Sequence, residues 1–222
     1  EMEYANKVLQ SPDRPFTAIL GGAKVSDKIQ LIDRLIEIAN FILIGGGMSY
    51  TFIKAQGGKT GNSLVEEEQL DLALELLEKA RMMNVDILIP EDTLAGDSFN
   101  AQAEIQVFDS FKIEDGWMGL DIGPKAIEKY SEVLLNSRTI LWNGPLGLFE
   151  FENFAKGTMA IAKVVAEATE KGAFSLIGGG DSVAAINQSG LSDKVSFIST
   201  GGGAMLEYLE GKKLPGIKAI ES

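Results

Sequence analysis

Apolar residues along this chain fall into two alternating rhythms. Short, almost uninterrupted apolar runs occupy 16–20, 41–44, 85–89, 139–142, 174–177 and 195–198. Runs so short and so apolar predict strands buried on both faces, as in a parallel sheet. Between them apolar residues recur at the three- and four-residue spacing of a helix. Ile29, Ile32, Leu35, Ile36 and Ala39 mark one helix over 27–39, and Leu70, Ala73, Leu74, Leu77 and Ala80 mark another over 67–81. Phe154, Thr158, Ile161, Ala162, Val165 and Ala168 mark a third over 154–170, while 124–136 opens with Pro124 at a first helical position. The alternation predicts an α/β protein: a three-layer, doubly wound, Rossmann-like sheet of about six parallel strands with helices on both faces. Residues 99–121 break the rhythm and read as additional strand or loop. No low-complexity linker interrupts the pattern, so 1–222 is predicted to be a single domain.

The strands end in glycine. "AILGGAKVSDK" (18–28), "FILIGGGMS" (41–49), "SLIGGGDS" (175–182) and "SFISTGGGAM" (196–205) share an apolar run that stops at a glycine cluster. Ligands of a parallel sheet bind beyond the carboxyl ends of its strands, where these stops fall. Glycine lets the backbone approach a ligand, and the following helix offers unpaired amides to an anion. Each cluster also suits a tight strand-to-helix turn; four together point to a phosphate or nucleotide site. Neither GxxxxGK[ST] nor a GxGxxG opening the first helix is present, which sets the chain apart from ordinary P-loop and dinucleotide proteins.

Composition narrows the chemistry. Among 222 residues there is no cysteine and no histidine. Disulfides, thiolate zinc sites, cysteine nucleophiles and histidine bases are therefore excluded. Lys, Arg, Asp, Glu, hydroxyls, backbone amides and a hard metal remain. A net charge of −12 opposes a nucleic-acid partner, whereas a small anion needs only local positive potential. No run reaches the about 18 apolar residues of a membrane-spanning helix. The opening "EMEYANKVLQSPDRP" is charged and has no apolar signal region. A cytoplasmic monomer with no membrane partner is the expectation.

Several polar residues stand at the strand ends. Lys24 and Lys28 are four apart, on one face if the first helix begins that early. Two ammonium groups at a helix N-terminus repel each other and oppose its dipole, which an anion between them would relieve; a solvated pair is the other reading. Asp181 follows a glycine triplet, either as a helix N-cap or as a carboxylate for Mg²⁺ on nucleotide phosphates. Ser182 can offer a hydroxyl or amide to a phosphate. In "ILWNGPLGLFE", Asn143 can donate its side-chain amide to an anion, Gly144 and Pro145 make a stiff turn, and Glu150 can accept from a ribose hydroxyl. Trp142 and Trp117 read as core aromatics, and Glu66 to Glu68 as the acidic first turn of a helix.

These segments, in order, resemble the phosphoglycerate kinase family: "RPFTAILGGAKVSDK", "LIGGGMSYTF", "GWMGLDIGP", "WNGPLGLFE", "IGGGDS" and "STGGGAMLEYLEGKKLPGI". The resemblance covers nearly the whole chain but only the family's C-terminal, nucleotide-binding half. It implies reversible phosphoryl transfer between 1,3-bisphosphoglycerate and ADP, giving 3-phosphoglycerate and MgATP. By that likeness Lys24, Lys28, Gly180 and Gly203 form the catalytic set, with the lysines on the transferring phosphoryl and nucleotide phosphates. Gly22, Ala23, Gly45, Gly46, Leu64, Gly119, Leu120 and Pro145 would form the adenine and ribose pocket, with Glu150 on the ribose. Asn143 would reach phosphate oxygens, Asp181 would take Mg²⁺, and Gly179, Gly180, Ser182 and Gly203 would face the phosphate chain. Ser182 stands where the family usually has Thr, with the hydroxyl retained. Phosphoryl transfer rests on positioning and charge neutralisation, so a histidine-free site suits it.

The resemblance also implies an absent N-terminal domain that carries the phosphoglycerate site and closes on this one. The lack of histidine and the start at Glu1 fit an excised half, expected to bind nucleotide without turning it over. The alternatives are a stand-alone, non-catalytic nucleotide-binding module and half of a nicotinamide-dependent dehydrogenase, the latter weakened by the missing GxGxxG.

Overall fold

The computed structural model describes residues 2–212; the tail segment "LPGIKAI", expected to return toward a second domain, lies outside them. Six strands form one parallel sheet: β1 (Phe16–Leu20), β2 (Phe41–Ile44), β4 (Asp86–Leu88), β9 (Thr139–Asn143), β10 (Phe174–Gly178) and β11 (Phe197–Ile198). Their order across the sheet is β11-β10-β9-β1-β2-β4. The remaining strands, β3 (Lys59–Thr60), β5 (Asp92–Gly96), β6 (Ile105–Asp109), β7 (Lys112–Ile113) and β8 (Met118–Ile122), fill the region between β2 and β9. Eight helices complete the described chain: α1 (Met2–Gln10), α2 (Ile29–Ile38), α3 (Met48–Ala55), α4 (Leu70–Met82), α5 (Pro124–Leu135), α6 (Lys156–Glu170), α7 (Gly180–Ser189) and α8 (Gly202–Leu209).

Register explains why the strands are apolar throughout. Ala18 lies beside Ile42 and Leu141, and Leu141 beside Leu176; this row faces a core built with α1, α2, α3, α4 and α8. One residue on, Ile19, Leu43, Trp142 and Ile177 form the next row, which faces α5, α6 and α7. With a side-chain period of two, a strand covered on both faces needs apolar residues at every position. The three-layer, doubly wound architecture expected from the sequence is the one found.

Local differences have physical causes. The helix expected over 27–39 starts at Ile29, because a turn closed by Lys28 N–H on the Val25 carbonyl (2.8 Å) precedes it. Lys24 and Lys28 therefore precede the helix and do not share a helical face. Helices α4 and α6 are each preceded by a 3₁₀ turn, at Glu67–Gln69 and Glu152–Phe154. Residues 99–121 supply β7, which pairs in parallel with β3, and they supply β6 and most of β8 to an antiparallel sheet, β6-β5-β8, with a register shift between Leu94 and Ala95. This sheet shares a small core with α3, through Tyr50, Ile53, Ala95, Phe108 and Ile113. The charged opening segment is helical too: α1 buries Ala5 and Val8, and Tyr4 stacks on Phe197 (4.3 Å). Helix α5 begins at Pro124 under a cap from another element, the Asp92 carboxylate, which accepts from Lys125 N–H (3.0 Å) and Ala126 N–H (2.8 Å).

Candidate functional site

From β1 the chain winds to β2 and β4 on one side, then fills the other with β9, β10 and β11. The topological switch point thus lies between β1 and β9, where doubly wound sheets hold ligands. Two adjoining cavities open there, of about 420 Å³ and about 540 Å³. Gly22, Ala23, Pro145 and Asp181 line both.

The glycines divide into two groups. Gly21, Gly144 and Gly46 let the loops after β1, β2 and β9 interlock backbone to backbone. A Cβ on Gly21 would collide with the Pro145 carbonyl, and one on Gly144 with Gly21. On Gly46 (φ +69°) it would lie 2.6 Å from the Gly22 carbonyl oxygen. Gly45 packs against Leu146 and lines neither cavity, while Gly119 makes room for the Tyr50 hydroxyl. Gly180 and Gly203 belong to the second group: a Cβ there would meet nothing within 4 Å, and both line the smaller cavity.

The smaller cavity is polar. Exposed Lys24 and half-buried Lys28 come from the loop after β1, with Asn143 from the end of β9 and Gly179, Gly180, Asp181 and Ser182 from the start of α7. Lys28 donates through its ammonium to the Asn143 side-chain oxygen, and Asn143 Nδ2 donates to the Gly178 carbonyl (3.0 Å). Asn143 thus holds a lysine in place through its oxygen, while one of its two amide hydrogens is spent on β10. Burial lowers the Lys28 pKa, opposed by the nearby carboxylates of Asp27, Glu210 and Asp181. The Gly144 N–H donates to Ser182 Oγ at 2.5 Å, tying β9's loop to α7.

Asp181 is not the cap of α7. Gly179 occupies that position at φ +93°, and the first bond into the helix runs from Val183 N–H to the Gly179 carbonyl (3.0 Å). The amides of Gly180, Asp181 and Ser182 are left without intrahelical partners at the cavity wall. Asp181 itself is exposed, and its carboxylate makes no hydrogen bond or ion pair among the described residues. Among those residues no group of three or more acidic side chains could hold a metal alone. A cation here would need oxygens from a ligand besides Asp181.

The larger cavity is mostly apolar. Leu64 (49% exposed), Leu120, Leu148 and the exposed Phe99 line it, with Gly46, Gly119 and the exposed carboxylate of Glu150 at the same wall. Trp142 is fully buried, its indole N–H on the Gly144 carbonyl (2.8 Å), a core residue as expected, while Trp117 is half-buried and packs on Phe108 against the small core.

Two carboxylates near the site escape a reading of the sequence. Glu66 does not serve a helical first turn: its side chain accepts from the Ser26 amide and hydroxyl, in the lysine loop. Asp121, 2% exposed, accepts from Gly157 N–H (2.8 Å) and Ile122 N–H (2.9 Å) behind the apolar cavity. Burial pushes its pKa up to about 7 despite those donors and Lys156. Neither residue carries a local sequence signal, because Ser26 lies 40 positions from Glu66 and Gly157 lies 36 from Asp121.

A parallel sheet covered on both faces, with cavities at its switch point, defines a Rossmann-like α/β protein. Among such proteins the chain belongs to one family: residues 1–212 match the family model described as Phosphoglycerate kinase. It is 52% identical over its full length to the phosphoglycerate kinase of Porphyromonas gingivalis, covering 53% of that protein. To the enzyme of Prosthecochloris aestuarii it is 54% identical, over 99% of this chain and 55% of that one. The structure of phosphoglycerate kinase from Coxiella burnetii superimposes with a TM-score of 0.94 at 41% identity, over 98% of this chain and 56% of that one. That from Pyrococcus horikoshii gives 0.83 at 31% identity, over 99% and 55%. The chain spans about half the length of these relatives. No described helix is long and apolar enough to cross a membrane.

Proposed function

We propose that this chain is the nucleotide-binding half of a phosphoglycerate kinase, taking MgADP or MgATP across the two cavities. The observation that carries the reading is their adjacency: a polar chamber with two lysines and free helix amides opens into an apolar one through shared residues. A ligand with a charged phosphate chain at one end and a flat apolar base at the other suits that pair. Lys24, Lys28 and the amides of Gly179, Gly180 and Ser182 would receive the phosphates. Gly46, Leu64, Gly119 and Leu120 would enclose the base, with Glu150 accepting from ribose hydroxyls.

Asp181 fits Mg²⁺, being an exposed carboxylate with no competing partner at the mouth of the polar chamber. When bound with the phosphates, the ion neutralises their oxygens. In the transfer of a phosphoryl group between an acyl phosphate and ADP, Lys24 and Lys28 would stabilise charge on the moving group, and Gly180 and Gly203 would leave it room. The remaining length of the relatives would supply the phosphoglycerate side. Alone, the chain would bind nucleotide and transfer negligibly.

Calorimetric titration of MgADP, beside NADH, tests the reading. Saturable one-to-one uptake of MgADP and none of NADH is the expected result; preference for NADH, or no uptake of MgADP, would sink it.

A further inference from the structure

Midway between the two lysines of the loop after β1, Ser26 is gripped by a residue 40 positions away. Its amide donates to one oxygen of the Glu66 carboxylate at 3.1 Å, and its hydroxyl to the other at 2.5 Å. Glu66 is only 8% exposed, and its own N–H is held by the hydroxyl of Thr51 on α3 (3.1 Å). Glu67 and Glu68, its neighbours, are exposed. The glutamate therefore stands at a corner before the 3₁₀ turn, with both oxygens aimed at one residue of another loop.

Backbone bonds from Gly21 N–H to Asn143, from Gly22 N–H to Pro145 and from Met48 N–H to Gly22 hold the start of that loop, and Val25 is buried. The part that carries the lysines has few polar restraints beyond its own turn. Among the described residues, only three side-chain hydrogen bonds reach 21–28: two from Ser26 to Glu66, and one from Lys28 to Asn143. The Lys28 bond engages the side chain that is itself to face a ligand. The Ser26 clamp acts on backbone, between Lys24 and Lys28, from a residue that lines neither cavity. Hydrogen bonds to a carboxylate are stronger than neutral ones, and a loop ordered beforehand costs less to order on binding.

We propose that Glu66 is a positioning residue for the anion site, fixing Lys24 and Lys28 at the polar cavity through Ser26. The proposal rests on the reading that nucleotide phosphates occupy that cavity. Phosphate affinity then depends on a carboxylate that never touches the phosphates.

The test compares the parent chain with Glu66→Ala and Glu66→Gln, by calorimetry with MgADP and with adenosine, and by amide hydrogen exchange of the ligand-free chain. Loss of both bonds in Glu66→Ala is expected to weaken MgADP by about tenfold and speed exchange at the Ser26 amide by a similar factor. Adenosine, which lacks phosphates, should keep its affinity. Glu66→Gln can still accept from the Ser26 N–H and donate to its hydroxyl, so it should recover most of the loss. Unchanged MgADP affinity in Glu66→Ala overturns the proposal, and so does an equal loss for adenosine, which marks general damage. If the parent takes up no MgADP, the nucleotide reading fails and the affinity claim with it. Slow exchange at Ser26 in Glu66→Ala overturns the anchoring by itself.

Discussion

The ammonium of Lys28 and the side-chain oxygen of Asn143 are hydrogen-bonded across 115 positions of sequence. One residue precedes α2 and the other ends β9, so the contact bridges the two strands that flank the switch point. Asn143, 2% exposed, also satisfies the Gly178 carbonyl on β10. A single amide therefore relates three strand ends to one lysine. Replacing it by Ala strands the Gly178 carbonyl and frees Lys28. The expected cost is about 1–3 kcal/mol of stability, with roughly tenfold weaker MgADP binding. Urea unfolding and calorimetry on Asn143→Ala check both; binding unchanged at full occupancy would show that Lys28 needs no such support.

Asp181 should behave in the opposite way. Exposed and without a side-chain partner among the described residues, it contributes little to the fold. Asp181→Asn is expected to leave stability within about 0.5 kcal/mol of the parent. Its effect should appear only with magnesium: weaker MgADP binding, and metal-free ADP bound as before or better, since a negative charge near the phosphates is gone. Titrations with and without EDTA separate the two cases. Equal loss in both would assign Asp181 to something other than the cation.

The glycines permit a paired experiment. Gly144 has φ +101° and lies against the Gly21 backbone, so Gly144→Ala forces apart the loops of β1 and β9 and should cost at least about 3 kcal/mol. At Gly180 the added methyl meets nothing within 4 Å and the residue opens a helix. Gly180→Ala should keep or slightly raise stability, by up to about 1 kcal/mol, while taking up room in the polar cavity and weakening MgADP. Thermal unfolding of both variants, with calorimetry on the second, decides whether the two kinds of glycine differ in function.

How much of this was legible beforehand depends on the range of each interaction. The apolar runs declared their strands because burial on both faces leaves no polar position, and rows such as Ala18–Ile42 and Ile19–Leu43 confirm it. The glycine stops marked the strand ends, but not that Gly21, Gly45 and Gly144 serve packing between loops; that follows only from strand order. Helix α1 was hidden because Ala5 and Val8 are a thin apolar stripe among charges. Residues 99–121 alternate weakly, since β6 exposes Ile105 and Val107 and buries Phe108. Asp181 looked like a cap, yet the cap is a glycine whose positive φ no sequence pattern announces. Glu66 and Asp121 were silent for one reason: the donors that tie them to other elements, Ser26 and Gly157, lie 40 and 36 positions away.

Asp121 makes a prediction with a definite sign. Its carboxyl sits between β8 and the first turn of α6, where a Cβ on Gly147 or Gly157 would collide with it. Burial raises its pKa from 3.8 to about 7 in the folded chain, against the pull of the Gly157 and Ile122 amides and of Lys156. Between those values the folded protein holds a proton that the unfolded chain has released. Stability from this group is thus full below pH ~4 and falls as pH rises, ceasing to fall above ~7. The three-unit difference corresponds to at most about 4 kcal/mol. Asp121→Asn cannot ionise, so its stability relative to the parent should climb steadily from pH 4 to pH 7 and then level off. Urea unfolding of both proteins at unit pH steps measures the difference, with every other titrating group common to the two. A difference that stays flat across that window would mean Asp121 is ionised in the fold, held by the amides at the α6 terminus rather than neutralised by burial.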